Sequence, residues 1–164
     1  MTRRREITEL ISRLVEIESM NPWLIPEGSG ERQAQLFMQE YLKDLGIESH
    51  FEEVEEGRWN LVGCIPGDGT GRSLTLYAHA DTVGCELWRD RAFQPEIKGD
   101  RLYGLGAADD KGHCAAAMLA MKEIKERRIH LGGDIHFCFV ADEEGTTSGT
   151  IAYVKAHQPE ATLV

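Results

Sequence analysis

Residues 112–145 have the sequence GHCAAAMLAMKEIKERRIHLGGDIHFCFVADEEG, which combines a helix with a strand. The part at 112–128 has the length of an ordinary helix, and residues 114–121 within it are uniformly small or apolar. A helix that is apolar all round is buried, so we expect it to pack against a sheet. The Gly-Gly pair at 132–133 then turns the chain into an apolar strand at 134–140. A buried helix joined to a buried strand is typical of an α/β fold.

The rest of the chain continues the alternation of helical and extended segments. Apolar residues at three- and four-residue steps predict helices, and short apolar runs bounded by Gly or Pro predict strands. This alternation favours the α/β class, as a three-layer sandwich with a mostly parallel central sheet. The predicted helices are 7–19, 31–46 and 148–157, and the predicted strands are 47–54, 59–65, 73–78 and 161–164, with an irregular hairpin at 93–103.

The composition indicates one folded domain of ordinary size with an acidic surface. The chain has 164 residues, of which 41% are hydrophobic and 28% charged, and this balance favours a packed core over disorder. The formal charge of −10 argues against broad binding to nucleic acids or anionic membranes, because both would repel the protein. No apolar run reaches about 18 residues, so we expect no transmembrane helix.

The N-terminal charges and the cysteines indicate a cytoplasmic protein. Charged residues recur in the first predicted helix, including Glu9, Arg13 and Glu16, and they interrupt any secretory signal. The four cysteines contain no C-x-x-C pair, which excludes a zinc ribbon or a redox motif of that type. We therefore expect free thiols in a reducing compartment.

Three polar segments each come just after the C-terminal end of a predicted strand, and the second of them also leads into the apolar helix. They are AHADT at 78–82, GLGAADDKG at 104–112 and ADEEG at 141–145. Each has an ordinary structural explanation when taken alone: a hydrogen-bonded histidine, a helix cap and a solvated turn. Open α/β sheets, however, bring such segments together at the edge where the strands end. We therefore expect His79 and Asp109 to lie close to the acidic pair of the third segment.

One imidazole and several carboxylates at one edge form a mixed nitrogen and oxygen set suited to zinc, manganese or cobalt. Crowded carboxylates repel one another, and a divalent cation among them removes that repulsion. Asp81, two residues after His79, has the spacing of a carboxylate that holds the imidazole in its metal-binding tautomer. The sequence thus predicts a metal site that includes His79, Asp109 and the pair Glu143 and Glu144.

The motifs at these residues resemble those of the zinc metallopeptidase and deacylase family of acetylornithine deacetylase, succinyl-diaminopimelate desuccinylase, aminoacylase, carboxypeptidase G and the carnosinase-like dipeptidases. The resemblance runs through nearly the whole chain. Its motifs are Ser19-Met20-Asn21-Pro22, the H-x-D of His79 to Asp81, the segment from Trp88 to Pro95 that leads to Tyr103-Gly104, Gly106-Ala107-Ala108-Asp109 with Lys111-Gly112, and Asp142-Glu143-Glu144-Gly145.

The resemblance implies that a metal-activated water hydrolyses an amide bond at a pair of zinc ions, with cobalt or manganese as alternatives. His79 resembles the ligand of one metal and Asp81 its orienting partner. Asp109 matches the carboxylate that bridges the two metals, and Glu144 corresponds to a ligand of the second metal. Glu143 corresponds to the general base, which takes the proton of the water and passes it to the leaving amine.

The resemblance also implies a small substrate, either an N-acyl amino acid or a short peptide. Asp110 stands where deacylases often have Met and dipeptidases commonly have Asp. The segment A-D-E-E-G at 141–145 instead favours the deacylases, so we expect hydrolysis of N-acyl amino acids slightly more than of peptides. Leu105 stands where many members have Arg, a difference that removes no ligand.

Family members have two domains and roughly twice this length or more, so the resemblance implies that residues 1–164 are the N-terminal portion of the catalytic domain. The lid or dimerisation domain and the C-terminal part would be absent, and the complete protein could be a homodimer. The isolated chain would keep two of three protein ligands for each metal and have weak or no activity. Two alternatives remain: a non-catalytic or degenerate fragment that needs a complementary chain, and nucleophilic catalysis by Cys114 or Cys85.

Overall fold

The computed structural model describes residues 2–163 and confirms the alternation of helices and strands. The last residue of the strand predicted at 161–164 lies outside that range, and α3 below was not predicted. The helices are α1 (Arg3–Glu16), α2 (Arg32–Asp44), α3 (Arg89–Ala92), α4 (Lys111–Arg127) and α5 (Ser148–His157). The strands are β1 (Ser49–Glu55), β2 (Arg58–Ile65), β3 (Leu74–His79), β4 (Glu96–Lys98), β5 (Arg101–Tyr103), β6 (Ile135–Val140) and β7 (Thr162–Leu163).

A five-stranded sheet with the strand order β1-β2-β6-β3-β7 forms the centre of the fold. Strand β3 is parallel to both β6 and β7, but the pairs β1–β2 and β2–β6 are antiparallel. The α/β class is confirmed, whereas the sheet is mixed rather than mostly parallel. A tight turn at Gly57, with φ of 80°, joins β1 to β2, and strands joined in this way must be antiparallel. The parallel pair β3–β6 is instead connected through α4.

Helices cover both faces of the sheet and produce the three layers that the sequence predicts. Side chains alternate along β6, so that Phe137 and Phe139 pack into the apolar core beneath α1, α2 and α4. Cys138 and Val140 point to the other face, where they contact Tyr153 of α5.

The α4 helix is buried along one side only. Cys114, Met118 and Met121 are buried, but Ala116 and Ala120 are exposed. The prediction that this segment is buried all round was wrong, because α4 lies in an outer layer and small alanine side chains are tolerated at the surface. Among residues 2–163, no helix combines the length and the apolar character needed to cross a bilayer.

The parallel pairing of β3 and β6 positions the polar segments. His79, the last residue of β3, lies beside Val140, the last residue of β6. The loops that follow these two strands therefore leave the sheet at the same edge. Asp142, in the loop after β6, has a φ of 57°, in the left-handed region that few non-glycine residues adopt.

Candidate metal centre

The structure brings three predicted metal ligands together at this edge. His79 comes from the end of β3, Asp109 from the turn before α4, and Glu144 from the loop after β6. One ligand atom from each lies within 4.8 Å of the others, and His79 Nε2 is 3.1 Å from Asp109 Oδ1. His79 is buried, Glu144 is half-buried and Asp109 is exposed, so the cluster opens to solvent on the Asp109 side. A cis peptide bond joins Asp109 to Asp110.

Asp81 contacts both the imidazole of His79 and the loop that follows β6, residues 141–147, called the acidic loop below. His79 Nδ1 lies 3.1 Å from the carbonyl oxygen of Asp81 and 3.4 Å from its carboxylate. Both acceptors favour a proton on Nδ1, which leaves Nε2 facing the cluster. The Asp81 carboxylate also accepts the backbone N–H groups of Glu143 and Glu144, each at 3.1 Å. Because Asp81 is fully buried, these bonds fix the loop relative to the imidazole.

Glu143, the residue predicted as general base, lies beside His79 at the cluster. One of its carboxylate oxygens is 3.5 Å from His79 Nε2, and 34% of the side chain is exposed. This position lets the carboxylate reach both the cluster and solvent. The role of Glu143 in proton transfer stays a prediction.

The electrostatics of the cluster favour a cation. Burial acts to lower the pKa of His79, but the hydrogen bond and charge of Asp81, together with nearby acidic groups, outweigh burial and raise this pKa to about 9. Burial and the charge of Asp109 raise the pKa of Glu144. The shift of His79 reflects the acidic groups around it, whereas that of Glu144 comes first from burial and then from the charge of Asp109. A divalent ion among the ligands would compensate this negative charge. The donor set and its charge therefore fit a divalent metal ion.

Asn21 connects Asp81, which lies beside His79, to Asp142 of the acidic loop, a role that the sequence did not predict. Its Nδ2 donates to the carboxylate of Asp81 at 2.7 Å and to that of Asp142 at 2.9 Å. All three side chains are buried. The Asn21-Pro22 turn is visible in the sequence, but nothing local indicates which carboxylates its amide contacts.

Arg58 and Glu31 extend this buried network and were also missed. Arg58 donates to both carboxylate oxygens of Glu31, at 2.6 and 3.1 Å, and to Asp142 at 3.0 Å. Burial acts to raise the pKa of Asp142, but hydrogen bonds from Thr146 and its neighbours, together with Arg58, hold this pKa below its usual value. An ionised Asp142 thus joins the acidic loop to the buried side chains beneath it through these hydrogen bonds.

Asp110 and Lys111 support the site without joining the ligand cluster. Asp110 is buried, and its Oδ2 accepts the backbone N–H of His79 at 2.9 Å while its Oδ1 pairs with His113 Nδ1. Lys111 is also buried, its Nζ donates to the carbonyl oxygen of Ile17 at 2.6 Å, and burial lowers its pKa to about 8. Lys111 therefore joins the start of α4 to the end of α1, a contact between residues that are distant in sequence.

The cysteines named as alternative nucleophiles have the wrong surroundings for that role. Cys114 is buried and donates through Sγ to the carbonyl oxygen of His79 at 3.1 Å, and burial raises its pKa well above the usual value. Cys85 is buried with its Sγ 3.6 Å from Met20 Sδ, and burial raises its pKa as well. Nucleophilic attack needs an accessible thiolate, so both residues serve packing.

Known proteins resemble this chain along most of its length. A family model described as Peptidase family M20/M25/M40 matches residues 75–164, which include all five predicted site residues. An uncharacterized metallohydrolase of Methanococcus maripaludis is 31% identical over 163 residues, which cover 91% of this chain and 39% of the relative. Succinyl-diaminopimelate desuccinylase of Paraburkholderia xenovorans is 36% identical over 134 residues, 78% of this chain and 35% of the relative. The crystal structure of a tripeptidase from Staphylococcus aureus matches with a TM-score of 0.73 at 27% identity, covering 92% of this chain and 40% of that one.

These matches leave most of each relative uncovered. The chain spans between about a third and two fifths of the length of the curated relatives that it matches.

Proposed function

Because the chain belongs to Peptidase family M20/M25/M40, we propose that it forms part of a metal-dependent enzyme that hydrolyses amide bonds. The observation that carries this proposal is the cluster of His79, Asp109 and Glu144, whose ligand atoms lie within 4.8 Å of one another. In a degenerate remnant we would not expect these groups to be oriented by a buried carboxylate, as they are here by Asp81. The alternative of a non-catalytic fragment is therefore not favoured.

The donor set suits a pair of zinc ions, with cobalt or manganese as alternatives. We assign His79 and Asp109 to one ion, and Asp109 and Glu144 to the other. The excess negative charge at the cluster and the direction of His79 Nε2 support this assignment. When bound, the ions would polarise the amide carbonyl and lower the pKa of a water molecule.

The side chains of the protein position the reactants and move the proton. Glu143 accepts a proton from the attacking water and then donates it to the nitrogen of the leaving amine. Asp81 keeps the proton on His79 Nδ1 and holds the backbone of Glu143, so the base stays on the Nε2 side of the imidazole. Asp110 accepts a hydrogen bond from the backbone N–H of His79 and so fixes the position of that residue.

The proposed substrate is a small N-acyl amino acid, with a short peptide as the second candidate. The A-D-E-E-G segment at 141–145 and the relative named as a desuccinylase support the first, whereas Asp110 and the relative named as a tripeptidase support the second. We propose that residues 1–164 are the N-terminal portion of the catalytic domain of a longer, homodimeric protein. Its proposed location is the cytoplasm, where the four free cysteines would stay reduced.

The test is hydrolysis of N-acetyl and N-succinyl amino acids and of dipeptides by the complete protein of which residues 1–164 are proposed to be a part, with bound metal measured in the same samples. We expect chelation to abolish hydrolysis and added Zn²⁺ to restore it. Glu143→Gln should keep the metal and lower the rate by about 100-fold or more, because the proton acceptor is lost. Glu9→Gln, an exposed change on α1, is the matched control. Hydrolysis that survives both chelation and Glu143→Gln would contradict the proposal.

A further inference from the structure

A second group of metal-ligating side chains lies away from the site described above. Cys64 of β2, His136 of β6 and Asp134, which precedes β6, each place one ligand atom within 4.8 Å of the other two. Cys64 and His136 are direct cross-strand partners in the antiparallel β2–β6 pair. We infer that these three residues form a second metal-binding site, and that Zn²⁺ is the type of ion that it accepts.

The two groups lie near opposite ends of β6, the strand that they share. In the parallel register of β3 and β6, His136 pairs with Thr75 and Val140 pairs with His79. Four residues of extended strand separate the two positions, about 13 Å at 3.3 Å per residue. The two groups therefore cannot share an ion, and the proposed amide hydrolysis uses none of the three residues.

Asp134 is held so that one of its oxygens faces the imidazole. Its Oδ1 accepts the backbone N–H of Gly67 at 2.8 Å, whereas its Oδ2 lies 3.8 Å from His136 Nε2, too far for a hydrogen bond. A Cβ at Gly67 would lie 2.5 Å from the backbone of Gly133, so this turn is closely packed. A carboxylate oxygen and an imidazole nitrogen about 2.0–2.2 Å from a tetrahedral zinc ion stand roughly 3.3–3.6 Å apart, so the gap between Asp134 and His136 would have to close by only a few tenths of an ångström around such an ion.

The chemistry of the group also favours zinc. A thiolate, an imidazole and a carboxylate are the ligand types that zinc uses in proteins, and three of them leave a fourth position for water. Cys64 and His136 line a cavity of about 380 Å³ together with His50 and His157, so a water or a further imidazole has room. Burial and the charge of Asp134 raise the pKa of the Cys64 thiol, so binding of the ion must release a proton.

Titration with Co²⁺ tests this site separately from the first one. A cysteine ligand gives Co²⁺ an intense charge-transfer band in the near ultraviolet, and the first site contains no predicted cysteine ligand. We expect Co²⁺ in excess over all the proposed sites to produce the band in the unmodified chain and in Glu144→Gln. Cys64→Ser should abolish the band, and His136→Asn should weaken Co²⁺ binding by about tenfold or more. Cys138→Ala, on the same face of β6, is the matched control and should keep the band.

The reactivity of the thiol gives a second measurement that needs no variant. Cys64 is half-buried, whereas the other three cysteines, all within the described residues, are buried. Cys64 should therefore react first with a thiol reagent, and Zn²⁺ at ten times its Kd should slow this labelling by about tenfold. Absence of the charge-transfer band, its persistence in Cys64→Ser, or labelling of Cys64 that Zn²⁺ does not slow would overturn the inference.

Discussion

Arg58→Met should remove a large share of the stability of this fold. The side chain of Arg58 is 8% exposed and that of Glu31 is 3% exposed, and two hydrogen bonds at 2.6 and 3.1 Å join them. Arg58 also donates to the buried carboxylate of Asp142 at 3.0 Å. Removal of one member of a buried ion pair leaves the other charge uncompensated and costs about 3–5 kcal/mol. The free energy of unfolding of an ordinary domain is only about 5–15 kcal/mol.

Guanidinium denaturation followed by circular dichroism measures this loss. With a slope of about 4 kcal/mol per molar denaturant, the midpoint of Arg58→Met should fall by about 1 M. The matched variant is the double change Glu31→Gln with Arg58→Met, which neutralises both ends of the Glu31–Arg58 pair and should cost less than the single change, although Asp142 still loses its contact with Arg58. Burial raises the pKa of Glu31, although the hydrogen bond and charge of Arg58 act to lower it. Burial thus favours a neutral side chain at this position, and Gln is one.

The same variant tests whether the network supports the metal cluster. Asp142 is joined through Asn21 to Asp81, so loss of Arg58 should also weaken Zn²⁺ binding in calorimetry. A midpoint that shifts by less than about 0.2 M, or a double variant that is less stable than the single one, would refute the reasoning.

Three further outcomes follow from individual contacts. Asp81→Asn should lower the affinity for Zn²⁺ by about 10–100-fold in calorimetry, because an orienting carboxylate is lost, and an unchanged affinity would contradict this role. Burial raises the pKa of Tyr77 to about 12, so the stability that depends on its neutral form is complete below pH 10 and falls as the pH rises toward 12. The tyrosinate absorbance of the unmodified chain minus that of Tyr77→Phe checks this value. Gly149→Ala should destabilise the fold by about 2 kcal/mol or more in denaturation, because its Cβ would lie 2.3 Å from the carbonyl oxygen of Ala141, whereas the half-exposed Ile151→Ala should cost less than about 1 kcal/mol.

Most elements of the fold could be predicted because local periodicity specifies them. The helix α5 begins and ends at the predicted residues, Ser148 and His157. The direction of β2 could not be predicted, since an apolar run looks the same in a parallel and in an antiparallel pair. The four-residue helix α3 was missed because it is too short to show a helical period.

The metal cluster could be predicted because His79 and Glu144 belong to segments that follow two parallel strands, and such segments share one edge of the sheet. The supporting ion pair could not, because Glu31 and Arg58 lie 27 positions apart and leave no local pattern. Cys64 meets His136 only through the register of β2 and β6, which side-chain types alone do not specify.

Anomalous X-ray diffraction at the zinc edge, from crystals grown with Zn²⁺, would locate bound metal independently of any activity assay. We expect anomalous density about 2.0–2.2 Å from His79 Nε2 and from the carboxylates of Asp109 and Glu144. Crystals that bind zinc elsewhere but have no density among these three side chains would contradict the metal centre, and with it the proposed hydrolysis of amide bonds.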